Sequence, residues 1–383
     1  MAGTKIKDQF KELISPFLKS KMEEAKKNYG ESSSEYLAIA RQYIQDPLET
    51  KIVGGLEKPR HYQSEVRAYY DNKQVKGIER LYKRTILLEP TTVCAAHCRW
   101  CVRGQYPVET MSKDNISNAT KYMGSDERRE ELKEVLITGG DPLMSVPLLA
   151  FTLNEIKKNA PNIKIVRIAS RVPFHDPERI NNTMLEMFSD FSDFRLELGT
   201  HINHPVEFWK ESVESLKKLQ SVGFRIYNQN PLLKGVNDNF QTLSELYSNL
   251  RDYDIESHYL FHAVPLRGMS HHRTSVKKGI DLSNDLSSCG EFSGRAKAKY
   301  CILSDIGKII VYQDTIVDRR EKDNSILLKS GFNIKNRLQW NPSWEKPDSV
   351  EMDEDGTMYV WYLDGSDDKV ESITQGSQVS SQH

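Results

Sequence analysis

Thr85-Ile86-Leu87-Leu88 is a short apolar run, and it is soon followed by Cys94-Ala95-Ala96-His97-Cys98-Arg99-Trp100-Cys101. Three of the chain's five cysteines fall in those eight positions, spaced C-x3-C-x2-C, while Cys289 and Cys301 stand far off. Three thiolates this close can hold three corners of one [4Fe–4S] cluster, since such clusters are gripped by cysteine sulfur. A fourth cysteine would close the site; its absence leaves one iron open for chemistry. Three buried or redox cysteines gathered by chance are one alternative. A zinc site is the other, but it usually pairs two short Cys/His spacings across a long gap. His97 lies too close to Cys98 to serve as a fourth ligand. Cys94, Cys98 and Cys101 are therefore the expected cluster ligands.

Around this loop the chain reads as alternating short apolar runs and amphipathic helices, the pattern of βα units on a parallel sheet. Strands are predicted at Thr85–Leu88, Glu134–Thr138, Ile163–Ala169, Phe194–Leu198, Phe224–Tyr227 and Ser257–Phe261. Asp176-Pro177 predicts a helix start, and Phe208, Trp209, Val213, Leu216 and Leu219 form a stripe stopped by Gly223. Residues 1–75 read as a charged helical extension, with Phe10, Leu13, Ile14, Phe17 and Leu18 on one helix face and Tyr36 to Tyr43 on a second helix. The barrel is expected over 76–280, and a smaller region over 281–365 with strands at Tyr300–Leu303 and Ile309–Tyr312. The polar stretch 366–383 reads as a disordered tail.

The 383 residues suffice for one large α/β barrel with additions. Charged residues make up 28% but the net charge is −1, so neither nucleic acid nor a membrane surface is an expected partner. No apolar run is long enough to span a bilayer, and no signal peptide is evident. Few cysteines and an oxygen-sensitive cluster fit a reducing cytoplasm.

Parallel barrels gather chemistry where the strands end. The first predicted strand delivers the cysteine loop. The second delivers Thr138-Gly139-Gly140-Asp141-Pro142, whose glycines permit close backbone approach to a ligand. The third ends in Ala169-Ser170-Arg171-Val172-Pro173 and the fourth in Gly199-Thr200-His201-Ile202-Asn203-His204-Pro205. The fifth gives Asn228-Gln229-Asn230-Pro231, then Leu232-Leu233-Lys234-Gly235-Val236-Asn237-Asp238. Any one polar residue here could be a satisfied loop group; a series of them at successive strand ends is more than a structural barrel needs.

The cysteine motif with its aromatic Trp100 resembles the signature of radical S-adenosylmethionine (SAM) enzymes. The later runs, together with His272-Arg273-Thr274-Ser275-Val276-Lys277-Lys278-Gly279, narrow the resemblance to the lysine 2,3-aminomutase family over roughly residues 78–312. That resemblance implies a partial (βα)6 barrel of α/β class, with the N-terminal helical extension and a small C-terminal region. It implies three cofactors, a [4Fe–4S] cluster, SAM and pyridoxal 5′-phosphate (PLP), and migration of an amino group from the α to the β carbon of an amino acid. SAM would chelate the open iron and yield a 5′-deoxyadenosyl radical, with Trp100 beside its adenine and Gly139-Gly140-Asp141 at its amino group. Ser170, His201, Asn203 and Gln229 are expected among the cofactor contacts. Lys308, in Ser304-Asp305-Ile306-Gly307-Lys308, is the expected PLP lysine, although the family's glycine run is shortened here to Gly307. Arg80 and Arg84 match the arginines that hold the PLP phosphate, and Arg103 the one that grips the substrate carboxylate.

The family's distal-ammonium carboxylate aligns with Val264, which suggests a substrate other than free lysine; Asp305 could match a second such carboxylate. No cysteine follows Cys301, so the family's C-terminal zinc is not expected. A homo-oligomer and an electron donor such as flavodoxin or ferredoxin complete the expected partners. A radical SAM enzyme without PLP, or a non-catalytic cluster-bearing sensor, are the competing readings.

Overall fold

A computed structural model describes residues 10–50, 68–80, 82–104, 107–342 and 344–368. Helix α1 (Pro16–Tyr29) begins where Ser15 Oγ accepts from Leu18 N and Pro16 fills the first turn. That cap overrides the apolar spacing: Phe10, Leu13 and Ile14, expected within the helix, precede it in non-helical chain. Helix α2 (Ser34–Tyr43), capped by Ser33, packs against α1 through Leu18, Met22, Ile39 and Tyr43. The N-terminal region is not wholly helical. Strands β1 (Tyr69–Tyr70) and β2 (Lys73–Gln74) make a hairpin whose two turn residues, Asp71 and Asn72, have φ of 49° and 60°, as a two-residue hairpin turn requires.

Next come β3 (Ile78–Glu79), β4 (Thr85–Thr91), α3 (Lys113–Met123), α4 (Asp126–Arg129), β5 (Glu134–Gly139), α5 (Val146–Asn159) and β6 (Ile165–Ala169). They are followed by α6 (Val172–His175), α7 (Asn182–Ser189), β7 (Arg195–Thr200), α8 (Lys210–Ser221), β8 (Arg225–Leu232), α9 (Phe240–Asp252) and β9 (Ile255–His262). All six predicted barrel strands are present. Asp176-Pro177 opens only a 3-10 turn, Pro177–Arg179; α7 starts later, where the Asn181 side chain accepts from Met184 N.

The parallel sheet does not stop at six strands. Helix α10 (Val276–Ser288) crosses over to β10 (Lys299–Ser304), which pairs in parallel with β9, and β11 (Gly307–Ile310) returns antiparallel as the outer edge. The region expected to be separate after residue 280 thus extends the barrel sheet. Nine strands run β11-β10-β9-β8-β7-β6-β5-β4-β3 in one curled half-barrel. The Tyr82 hydroxyl, in the loop between β3 and β4, lies near the backbone amide of Lys308 on β11. β11 begins two residues earlier than predicted, since Gly307 (φ 117°) leaves the turn directly into the strand.

Inner and outer faces of the sheet differ in chemistry. Ile86, Leu88, Val135, Ile137, Val166, Ile168 and Leu198 sit under the helices at or near zero exposure, each contributing about 2 kcal/mol by burial. The alternate positions include charged residues, Glu89, Glu134, Arg167 and Glu197, among apolar ones such as Leu87 and Leu136. Arg167 on β6 bonds Glu134 at 3.2 Å and Glu197 at 2.9 Å, and Glu197 also meets Arg195 at 2.8 Å. A parallel sheet buried on both faces reads as continuous apolar runs; here such runs are interrupted by charged residues on the inner face.

A second, antiparallel sheet follows, built from β12 (Ile316–Arg320), β13 (Ser325–Asn333), β14 (Val350–Met352) and β15 (Thr357–Leu363) in the order β12-β13-β15-β14. Helix α11 (Ile334–Trp340) lies between β13 and β14 in the chain. Arg273 locks this sheet to the barrel: it donates to Ala263 O, Asp364 O and Leu363 O. Ser366–Asp368, expected to open the tail, is held as well, with the Asp367 carboxylate accepting from Ser275 N and Oγ. The remainder of the expected tail, 369–383, lies outside the described residues. Among the described residues, no helix is long and apolar enough to cross a membrane.

Candidate active site

The cysteine loop leaves β4 and has no regular secondary structure of its own, so its backbone groups must find partners elsewhere. On the barrel side, Gly140 N donates to Thr91 O and Asp141 N to Val93 O, both at 2.8 Å. A Cβ on Gly139 would lie 2.2 Å from Thr91 O, and one on Gly140 would lie 2.3 Å from the Thr92 carbonyl carbon. The close approach these glycines permit is that of the cysteine loop itself. On the other side, the N-terminal extension supplies carbonyls: His97 N donates to Leu13 O and Arg99 N to Gln42 O, each at 2.8 Å. His97 stacks on Phe10 at 4.5 Å and its Nδ1 is 2.8 Å from Lys11 O. Its ring is engaged by the extension.

Cys94, Cys98 and Cys101 carry free thiols and act electrostatically on one another. Burial pushes all three thiols up, Cys101 to about 11. At Cys98 a cation opposes that burial, for Arg171 Nη1 donates to its Sγ at 3.1 Å. His175 Nε2 lies 3.8 Å from the same sulfur and 3.1 Å from the Tyr43 hydroxyl. Desolvation first, then Arg171, keeps His175 neutral.

Asp141 is fully buried and its carboxylate is already engaged. It accepts from Ser170 Oγ at 2.9 Å, from the amides of Arg171 and Val172 at 2.8 and 3.1 Å, and from Leu143 N at 3.1 Å. The pair Asp141 and Ser170, both expected at a cofactor, therefore staples the second strand end to the third. Burial raises the Asp141 carboxyl against the pull of these four donors.

Trp100 and His201 face each other edge to face, with centroids 5.1 Å apart. Burial, then Arg171, pulls the His201 imidazole down to about 3, so it stays neutral. Trp100 Nε1, His201 Nδ1, Thr200 Oγ1 and Asn203 Oδ1 are buried without hydrogen-bond partners. Buried polar atoms are nearly always paired, so these four leave hydrogen-bonding capacity open beside the cysteine loop. Asn203 Nδ2 donates to Gln42 Oε1 at 2.6 Å, bringing the extension into the same cluster. Gln229 lies on the inner face of β8, its amide beside Gly199.

The expected cations are placed less simply. Arg103 was expected to await a substrate carboxylate; instead Glu89 bonds its Nε and Glu79 its Nη2 at 3.6 Å, two acidic side chains from the neighbouring strands. Arg80 is 1% exposed, donates to Glu131 and Lys83 O, and packs on Trp340; only its Nη1 lacks a partner. Arg84 is exposed at the amino end of β4. Lys308 projects into the lumen, 5.1 Å from the Tyr259 ring and 5.3 Å from Phe261. Desolvation lowers its pKa, opposed by Cys301 and Glu134 and reinforced by Arg167. Arg295 is exposed and bonded to Glu256, and half-buried Lys297 donates to Ser287 O.

Three cysteine thiols on one loop, beside buried polar atoms without partners, are the donor type an iron–sulfur cluster takes; among the described residues no three His, Cys, Asp or Glu side chains are already gathered as a metal site. Three partners of that site escape a motif-by-motif reading. They are Gln42, Tyr43 and Glu207, brought in from outside the cysteine loop; the Ser-Arg-x-Pro run is the signal that could have singled out Arg171.

Residues 88–246 match the family model of the radical SAM superfamily. The chain is 33% identical to the L-lysine 2,3-aminomutase of Methanococcus maripaludis, over 61% of this chain and 53% of that one. It is 30% identical to the L-lysine 2,3-aminomutase of Clostridium subterminale, over 69% of this chain and 60% of that one. The matched stretch covers less than two thirds of these relatives' own lengths. Among solved structures, a radical SAM methyltransferase from Sphaerobacter thermophilus aligns at a TM-score of 0.43 and 15% identity, over 60% of this chain and 69% of that one. That likeness is too distant to build on. By its cysteine loop, its half-barrel and its relatives, the chain belongs to the radical SAM superfamily as a lysine 2,3-aminomutase-like member.

Proposed function

We propose that this protein is a PLP-dependent amino-acid 2,3-aminomutase whose substrate is an amino acid other than free lysine. The observation that carries the proposal is Lys308. A lysine drawn into a barrel lumen, with its ammonium over two aromatic rings and its pKa lowered by desolvation, keeps more free amine at neutral pH than a surface lysine. That amine is what carbonyl chemistry requires. When bound there, PLP would supply a conjugated ring able to delocalise an unpaired electron, while SAM on the cluster would supply the hydrogen-abstracting radical.

The chain's own residues do the positioning. Cys94, Cys98 and Cys101 would hold the cluster; Trp100, His201 and Asn203 present the orphaned polar atoms that a bound SAM could satisfy. Tyr82, from the same loop as Arg84, lies near the Lys308 backbone, and Arg80 and Arg84 are the arginines proposed for the PLP phosphate. Arg103 would hold a substrate carboxylate by exchanging Glu79 or Glu89 for it.

The substrate reading rests on Val264, half-buried beyond β9, where the resemblance puts a carboxylate. An unpaired buried ammonium there would cost on the order of several kcal/mol. Asp305, the other candidate carboxylate, accepts from Ser349 Oγ at 2.5 Å and so is drawn towards the second sheet. The test is an anaerobic incubation of the reconstituted full chain with SAM, PLP, reductant and a panel of amino acids, read by mass spectrometry. Formation of a β-amino acid from a substrate other than lysine is the expected result. Efficient conversion of lysine, or SAM cleavage with no amino migration from any panel member, would refute it.

A further inference from the structure

One cation joins the cysteine loop to the rest of the barrel mouth. Arg171 is 5% exposed and follows β6 by two residues. Its Nη1 donates to Cys98 Sγ at 3.1 Å, and its Nη2 to Glu207 Oε1 at 2.6 Å and to Gln42 Oε1 at 3.4 Å. Its guanidinium lies 5.5 Å from the ring centroids of both Tyr43 and Trp100. Glu207 cannot swing away, because its second oxygen accepts from the amides of Asn203 and His204 at 2.6 and 3.1 Å. The arginine is thus fixed by three parts of the chain, the cysteine loop, α2 and Glu207, with one donor directed at a sulfur expected to ligate iron.

Hydrogen bonds to the sulfurs and the net charge nearby set the potential of an iron–sulfur cluster. A donor and a positive charge at Sγ favour the reduced form, which carries one more electron. A carboxylate behind that charge weakens the effect. We infer that Arg171 is a positioning and potential-setting residue for a cluster held by Cys94, Cys98 and Cys101: its bond to the Cys98 sulfur makes the cluster easier to reduce, and Glu207 limits how far. The inference rests on the cluster reading of the cysteine loop and is independent of PLP and of the amino-acid substrate.

The geometry requires opposite signs for two substitutions. Arg171→Gln removes the charge and the fork, so the cluster becomes harder to reduce. Glu207→Gln removes the compensating charge and leaves Arg171 in place, so the cluster becomes easier to reduce. A loop that was merely loosened would move both variants the same way.

The experiment is a mediated redox titration, followed by electron paramagnetic resonance, on anaerobically reconstituted full-length protein with no SAM, PLP or amino acid. Iron content verifies loading. At a fixed poise, Arg171→Gln is expected to lower the ratio of reduced to oxidised cluster about tenfold, equivalent to about 59 mV for a one-electron couple. Glu207→Gln is expected to raise that ratio. Arg171→Gln within twofold of the unsubstituted protein, or shifts of the same sign in both variants, would overturn the inference. Should Arg171→Gln fail to take up iron, Glu207→Gln decides alone: a rise supports the inference, and an unchanged or lowered ratio refutes it.

Discussion

Glu49 holds the cysteine loop from outside the barrel, and replacing it by Gln should loosen that loop selectively. Arg99 lies between Cys98 and Cys101 in the chain with its side chain wholly buried, while that of Glu49 is 9% exposed. Glu49 accepts from Arg99 Nε at 2.8 Å and from Nη2. Arg99 also donates to Lys11 O at 3.2 Å and Phe10 O at 2.9 Å, and lies 4.8 Å from the Phe10 ring. Removing one partner of a buried ion pair costs about 3–5 kcal/mol. Gln keeps the shape and one neutral acceptor, and the two carbonyls remain, so about 2–3 kcal/mol is the expected loss. At 1.36 kcal/mol per tenfold, that is about a 30- to 150-fold larger opening constant for the clasp. The amides of His97 and Arg99, bonded to Leu13 O and Gln42 O across it, are the reporters. Hydrogen exchange of a peptide spanning 94–104 should accelerate by that factor in the Glu49→Gln variant, with core strands such as β6 unchanged. Glu24→Gln, which breaks only an exposed pair with Lys21, should do nothing. Protection at His97 and Arg99 within threefold of the unsubstituted protein would refute the reasoning.

Two further outcomes follow from individual residues. His262, whose Nδ1 lies 2.8 Å from the Tyr362 hydroxyl and Nε2 2.9 Å from Thr274 O, is pulled down to about 3 by burial, then by Arg273. The unfolded chain therefore binds more protons below about pH 6.5, so stability is full above that pH and falls as pH drops towards 3. Between pH 6.5 and 5.5, urea unfolding of His262→Gln should lose roughly 1 kcal/mol less than the unsubstituted protein; an identical pH dependence would count against the assignment. Gly140→Ala places a Cβ against the Thr92 backbone, and should cost about 1–3 kcal/mol and lower the iron content after reconstitution. Gly294→Ala, with open space at its Cβ, should leave both unchanged.

The barrel was legible in the sequence because its determinants are local. Each predicted strand is an apolar run bounded by its own turn residues, and polar residues at the strand ends reported a lumen with chemistry in it. What stayed hidden depends on distant partners. Phe10 to Ile14 carry helical spacing, yet Ser15-Pro16 starts the helix after them and frees them to line the cysteine loop. β10 reads alone as a strand, but only its pairing with β9 shows that it continues the barrel. Arg80 and Arg103 match a motif in spacing, and their carboxylate partners Glu131, Glu89 and Glu79 change what each is free to do.

The cysteine loop is where these two kinds of information meet. Its start is fixed from the barrel by Gly140 N and Asp141 N, both in a motif visible in the sequence. Its middle is fixed by Leu13, Gln42 and Glu49, which no motif announces. A loop without regular structure must satisfy its amides somewhere, and each bond it borrows from the extension removes freedom from the thiols. The two buried arginines beside those thiols divide the work. Arg99 is paired in full with Glu49 and serves to hold the loop; Arg171 shares its charge between Glu207 and a cysteine sulfur and so reaches the chemistry. Loss of the extension would leave the half-barrel sheet its own core, since Ile86, Ile137, Ile168 and Leu198 belong to a cluster that contains none of α1 or α2. It would take away the bonds that Leu13, Gln42 and Glu49 make to the cysteine loop, which makes the N-terminal region part of that loop's framework.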